Sequence, residues 1–513
     1  MLDHCHLYST LIVLVVLISS CGGSSTQTAA GSVFCDQLRR TDSMSINTEL
    51  APYADSLSNK SGVFVLEEGG GSLTTRAWLT EYAEQSIDVQ YFIFSLDNVG
   101  LIACDYLVRA ADRGVKVRIL VDDFMIHAEE QDIKKLAAHE NIDIKVYNSG
   151  ANLGKNLWNK IYKLATDFRG FNQRMHNKTF TVDGKVVITG GRNIADEYYD
   201  YDHDYNFRDR DVLLLGQVTD AVVASFEEYW NHPLSVATSS LIGAIEPIQS
   251  GSSDYDALHA YACNPENYWP QIRAQVENFP LLVQAMANSG RIHWLDRVDY
   301  ISDQPGKNNK TRGLSGGGTT TSALIKLVQQ ASSSVLIQTP YLITSDSTKE
   351  LFATATARGV TVRIHTNSLA STDNVEAFAS YQKDRRKLLA TGVEIYECKP
   401  DAEIRKSVMA ADLQAAVDYA PIFGLHAKSM VIDDSITVIG TFNLDPRSAN
   451  LNTECITVIH SREVATAVAA GIETELQPEN AWKISPITNP DQEVSTVKRL
   501  KTWTRRVIPK GVL

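Results

Sequence analysis

Metal-binding patterns and excess cations are both scarce in this chain. Its seven cysteines, spread over 513 residues, form no CxxC pair, which excludes the structural zinc classes. Lys and Arg number 48 against 61 Asp and Glu, a net charge of −13, and a general nucleic-acid binder needs the opposite balance. Long apolar runs are missing as well. Leu11–Ile18 is an unbroken apolar stretch, but its helical rise of about 12 Å falls far short of a bilayer core of about 30 Å. What remains is 44% hydrophobic and 21% charged, the proportions of a globular protein, in a chain long enough for two or three domains.

The short apolar run fits the core of a secretory signal, and the following Ile18-Ser19-Ser20-Cys21 resembles a bacterial lipobox. On that resemblance residues 1–20 are a signal segment and Cys21 is the lipidated mature N-terminus; a signal cleaved without lipidation is the alternative. Residues 21–59 begin with a Gly/Ser/Thr-rich tether. The expected location is the periplasmic side of a bacterial membrane. There the remaining cysteines meet an oxidising compartment, with a pairing that the sequence does not reveal.

The rest of the chain is written twice. Arg113-Gly114-Val115-Lys116-Val117-Arg118-Ile119 recurs as Arg358-Gly359-Val360-Thr361-Val362-Arg363-Ile364. Each copy follows an apolar strand candidate, Ile87 to Phe94 and Val335 to Ile343, and a helical pattern that ends in the shared Arg-Gly, where glycine suits a helix end. Strands alternating with helices predict α/β halves. The expected boundaries are 60–235 for repeat one, 236–314 for an insertion and linker, 315–480 for repeat two and 481–513 for a basic C-terminal segment.

The chemistry-bearing residues occupy the same place in both repeats. His176, Lys178, Asp183, Gly190 and Asn193 are matched in spacing, residue for residue, by His426, Lys428, Asp433, Gly440 and Asn443. Asp183-Gly184 between two apolar segments predicts a hairpin turn. Residues two apart on a strand share a face, so each His/Lys pair should project together. Such a set suits a phosphodiester: lysine neutralises phosphoryl charge, asparagine donates hydrogen bonds, and histidine serves as nucleophile or proton carrier. Aligning the repeats also makes Asp209 and Glu454 equivalent, as carboxylates that orient the imidazoles. Asp183 and Asp433 stand either with the catalytic set or as structural turn residues.

These paired motifs resemble those of the phospholipase D superfamily, and GGRNIADEYYD, NFRDRDV, TNSLASTD and NLDPRSANLNTE resemble its cardiolipin synthase branch, especially the bacterial C-type synthases. The resemblance implies an α/β fold: two tandem α-β-α sandwich halves related by a pseudo-twofold, with the active site at their interface. It implies a two-step reaction without metal or cofactor, with His176 as nucleophile and His426 as acid and base. Lys178, Lys428, Asn193 and Asn443 would hold the phosphoryl oxygens. The implied partners are phospholipids, phosphatidylglycerol and also phosphatidylethanolamine, at a membrane surface, with no nucleic acid. The implied activity is phosphatidyl transfer yielding cardiolipin; a phospholipase D hydrolase and a phosphodiesterase or nuclease are the alternatives.

Two cationic stretches run against the acidic average. Lys155, Lys160, Lys163, Arg169 and Arg174 alternate with aromatics ahead of His176, and Lys498, Arg499, Lys501, Arg505, Arg506 and Lys510 surround Trp503. Both fit an anionic bilayer surface, with solvated helix faces as the alternative. Cys104 reads as a small core residue on a helix.

Overall fold

The computed structural model describes residues 34, 44–123, 126–127, 130–149, 168–279, 285–286, 288–309, 311, 313–409 and 421–513. Leu11–Ile18, Cys21, Lys155, Lys160 and Lys163 lie outside the described residues.

Two mixed sheets carry the fold, one of nine strands and one of eight. In repeat one Ser86–Tyr91, Lys116–Asp122 and Ile142–Tyr147 run parallel, and Thr179–Val182, Val186–Gly190, Asp211–Gly216 and Ser61–Leu66 continue the sheet antiparallel. Repeat two answers strand for strand with Ser334–Gln338, Thr361–Asn367, Glu394–Cys398, Ser429–Ile432, Ile436–Gly440, Cys455–His460 and Val298–Ser302. The parallel strands need helical crossovers, and Asn98–Asp112 and Asp346–Ala357 supply the first in each repeat. Both helices stop at the repeated Arg-Gly, where Gly114 (φ 93°) and Gly359 (φ 89°) adopt the left-handed conformation that satisfies the last carbonyls.

The expected boundaries differ from the sheets at both ends of repeat two, whose sheet also takes in Ala481–Lys483, paired with Glu394–Cys398. Repeat two starts at Val298, within the stretch expected to be insertion, because Val298–Ser302 pairs with Cys455–His460 as Ser61–Leu66 pairs with Asp211–Gly216. That strand is short, half-buried and followed by turn-rich sequence, so its pattern is weak. The insertion proper belongs to repeat one: its helix Asp256–Ala262 packs on Asn98–Asp112, and Pro270–Val276 packs on Gly69–Tyr82.

A single apolar core joins the halves. Val63, Val187, Val212 and Leu214 from one sheet meet Leu336, Val431, Ile439 and Ile459 from the other, between the helices Val218–Trp230 and Arg462–Glu475. Beside it lies a buried ionic network. Arg208 bonds Glu475 at 2.9 Å and Glu67 at 2.5 Å, while Arg210 bonds Glu67 at 2.8 Å and the Gln338 side chain at 2.7 Å. Burial opposes ionisation of Glu67, but Arg210 and Arg208 hold its carboxyl well below the usual range. Cys263 is disulfide-bonded, whereas Cys104, Cys398 and Cys455 are buried free thiols, Cys104 on a helix as expected.

Candidate active site

Two short crossings between the repeats build the site. The strand Tyr205–Arg208 of repeat one runs parallel to Ile422–Leu425 of repeat two, so the segment entering Asp209 lies beside the segment entering His426. The Arg208 carbonyl accepts the backbone N–H groups of both His426 (2.8 Å) and Ala427 (2.9 Å). On the other side of the pseudo-twofold, Met175 bridges Thr453, and the Thr453 carbonyl accepts the His176 N–H at 2.9 Å.

Each histidine is consequently oriented by the carboxylate of the opposite repeat. His176 Nδ1 lies 2.7 Å from Glu454 Oε2, and His426 Nδ1 lies 2.5 Å from Asp209 Oδ2. With Nδ1 occupied by a carboxylate, Nε2 is the ring nitrogen left for chemistry, that of His426 lying 3.0 Å from Lys428 Nζ. The two carboxylates are supported differently. Glu454 also accepts the hydroxyls of Thr441 and Ser448. Asp209 accepts the Arg210 N–H at 2.7 Å and lies against Gly191, where a Cβ would stand 2.1 Å from its Oδ1. Thr441 and Gly191 are equivalent positions, so the longer acid has a hydroxyl partner where the shorter one has empty space for its own oxygen.

Lys178 and Lys428 are buried beside the histidines, each donating to the carbonyl of the histidine two residues before it. Burial pushes Lys178 down to about 7, helped by Lys428, and pushes Lys428 down to about 8 despite Asp209 and Glu454. Burial likewise lowers His176 to about 4 and His426 to about 3, with nearby lysine charge adding to the effect. Burial raises Asp209 and Glu454, but the imidazoles and lysines more than reverse this and keep both ionised. The free site therefore favours neutral imidazoles on carboxylates, next to lysines whose charge is opposed by burial. The charge of a bound phosphodiester raises both lysines and both histidines.

The remaining sequence-derived residues divide. Asn193 is buried, with its side-chain oxygen accepting the Ile93 N–H at 3.1 Å. Asn443 is buried with its side-chain oxygen unpartnered. Asp183 and Asp433 are to be corrected, because they are not in the site. Asp183 accepts the backbone N–H groups of Glu84, Gln85 and Ser86, and Asp433 those of Ser332, Ser333 and Ser334. Each clamps its hairpin turn, with φ of 51° and 52°, onto the start of its repeat's first parallel strand. In the first basic stretch Arg174 is buried and pairs with Asp122 at 3.4 Å, which removes it from any membrane-facing surface.

Sequence reading misses the packing of the imidazoles. Phe92 meets His176 edge-on at 5.0 Å, Tyr198 meets His426 at 5.0 Å, and Phe207 lies 4.7 Å from His426. Tyr198 and Phe207 fall within the stretches GGRNIADEYYD and NFRDRDV, so their position was a usable signal. Ser448 likewise falls within NLDPRSANLNTE, whereas Thr441 carried no signal.

Two duplicated α/β halves that join paired histidines, lysines and crossed carboxylates define a phospholipase D-like phosphoryl-transfer site. Comparison with known proteins specifies the class further. The family model described as "Cardiolipin synthase, PLD-like domain" matches residues 79–230 and 324–475. Cardiolipin synthase C of Escherichia coli K12 is 31% identical over 82% of this chain and 86% of its own length. An uncharacterized protein of Helicobacter pylori 26695 is also 31% identical, over 84% of this chain and 83% of its own. The crystal structure of a Haemophilus influenzae phosphatidylserine synthase shares the fold, with a TM-score of 0.53 at 14% identity over 91% of this chain and all of that one. The chain belongs to the cardiolipin synthase family and is a phosphatidyltransferase of the phospholipase D superfamily.

Proposed function

We propose that this enzyme makes cardiolipin by passing a phosphatidyl group through His176 to the hydroxyl of a phosphatidylglycerol. The crossed pairing of each histidine with the other repeat's carboxylate carries this reading. His176 Nε2 attacks phosphorus while the bond to the donor's headgroup alcohol breaks, and His426, which takes up a proton from solvent as the phosphodiester binds, gives it to that alcohol. The product is a phosphatidyl-histidine held between Lys178 and Lys428, with Asn193 and Asn443 at the phosphoryl oxygens. The acceptor hydroxyl then gives its proton to His426 as its oxygen displaces His176, and product release returns that proton to solvent and restores the free enzyme. Phosphatidylethanolamine is a second donor. Lipid mass spectrometry on phosphatidylglycerol vesicles should show cardiolipin exceeding phosphatidic acid; phosphatidic acid dominating at every composition means a hydrolase.

The partner surface in this reading is an anionic bilayer. The C-terminal helix Thr496–Arg505 supports it, since Val497, Leu500, Trp503 and the following Val507 are between 61% and 84% exposed along one stripe. Lys498, Arg499, Lys501 and Arg505 flank that stripe, and each cation near an anionic surface contributes about 1 kcal/mol. Lys498 reaches the Ala370 carbonyl in the loop that carries Asp373, whose charge acts on Lys428. The helix thus flanks the approach to the site. The protein is further proposed to be held at the periplasmic face by lipid on Cys21, and the Cys263 disulfide fits an oxidising compartment. Metabolic labelling with a fatty-acid probe should be lost in Cys21→Ser; unchanged labelling removes the anchor.

A further inference from the structure

Repeat one contains an apolar cavity of about 370 Å³ between its sheet and the insertion. Val121, Cys104, Ile133 and Phe94 line it together with Leu258 and Tyr261 of the insertion helix Asp256–Ala262. Protein interiors hold few voids larger than a water molecule, whereas ligand pockets are mostly apolar and start near 300 Å³. Leu258 and Tyr261 come from the insertion, the segment that breaks the internal duplication.

Phe94 of the cavity lining follows two residues after Phe92, whose ring packs on His176. Between them the Ile93 N–H is held by Asn193, and the Ser95 N–H donates to the Ile194 carbonyl at 2.9 Å. The chain bends at Phe92 between the strands Ser86–Tyr91 and Phe94–Ser95, so Phe92 and Phe94 stand at most about 7 Å apart, a gap that the glycerol backbone of a phospholipid bridges between its phosphate and its acyl chains.

We infer that this cavity receives one acyl chain of the donor phospholipid while its phosphorus faces His176. The inference rests on the proposed phospholipid reaction and adds the place where the chain is recognised. The glycerol backbone crosses the Phe92–Phe94 segment, and the chain lies between the sheet and the insertion helix. Chain length and bulk near the glycerol should then be read by repeat one.

Leu258→Trp and Cys104→Phe, each checked by thermal melting, place bulk in the cavity from two different helices. Rates are measured in mixed micelles with dioleoyl- and dihexanoyl-phosphatidylglycerol. The expected result is a fall of roughly tenfold in the dioleoyl-to-dihexanoyl rate ratio, since remote binding energy is drawn on in the transition state. A ratio equal to the wild type's in both folded variants overturns the inference. A phosphatidylglycerol with a terminal diazirine on one chain gives a readout independent of turnover. Crosslinks should fall on peptides containing Phe94, Cys104 or Leu258, and crosslinks confined to other peptides overturn the assignment. A wild-type enzyme inactive on both lipids that still crosslinks at the cavity counts against the proposed reaction and leaves the cavity assignment standing.

Discussion

Single side chains decide the chemistry through charge and reach. Asp209→Asn and Glu454→Gln keep the shape but withdraw the carboxylate that fixes each imidazole. Turnover should fall by about 100- to 10,000-fold with the fold intact, as judged by lipid product rates and melting. Gly191→Ala tests the close approach separately. Its methyl would occupy the place of Asp209 Oδ1, and the displaced carboxylate should cost roughly 100-fold in kcat. The lysines set the pH response. With Lys178 near 7 and Lys428 near 8 in the free site, rising pH removes the charges that bind a phosphoryl anion. Affinity for tungstate, read as inhibition, should be greatest below pH 7 and weaken as pH rises through 8. An inhibition constant that stays flat from about pH 6 to about pH 9 contradicts this.

At the scale of elements, the two motif aspartates are clamps on hairpins. Asp433 is held well below the usual carboxylate range: burial works against this, and the N–H groups of Ser334, Ser333 and Ser332 outweigh it. A depressed carboxylate stabilises the fold above its unfolded value, and that contribution is lost as pH falls toward the folded one. Asp433→Ala should thus lower stability by about 1–3 kcal/mol, with the loss shrinking in acid, while turnover per folded molecule stays within about threefold. A large loss of turnover with unchanged melting would return the residue to the site. The sequence could not separate these roles, because a turn aspartate and a catalytic one stand at the same spacing from histidine. Their N–H partners lie about a hundred residues earlier in the chain. The helix ends at Arg113-Gly114 and Arg358-Gly359 were legible, since local φ preference decides them without tertiary help.

At the scale of the molecule, duplication made the fold legible and pseudo-twofold packing hid the wiring of the site. Aligning the repeats equates Asp209 with Glu454 but does not say which imidazole each one reaches; that follows from strands that cross between the halves. Neither repeat holds a complete dyad, so each expressed alone should be inactive, and activity should return only when both are mixed and associate. The outer stripe of the C-terminal helix belongs to the same scale. Replacing Val497, Leu500 and Trp503 by Ser should weaken binding to phosphatidylglycerol vesicles in sedimentation, and leave hydrolysis or transfer of a soluble short-chain lipid near its original rate. The central claim is covalent transfer through one histidine served by the other half. It is tested most directly by acid-free quenching of His426→Ala with a phosphatidyl donor carrying a good leaving group, followed by peptide mass spectrometry. The account predicts a phosphatidyl adduct on His176 that is absent from His176→Ala; an adduct on His426 in His176→Ala, with none on His176, would contradict it.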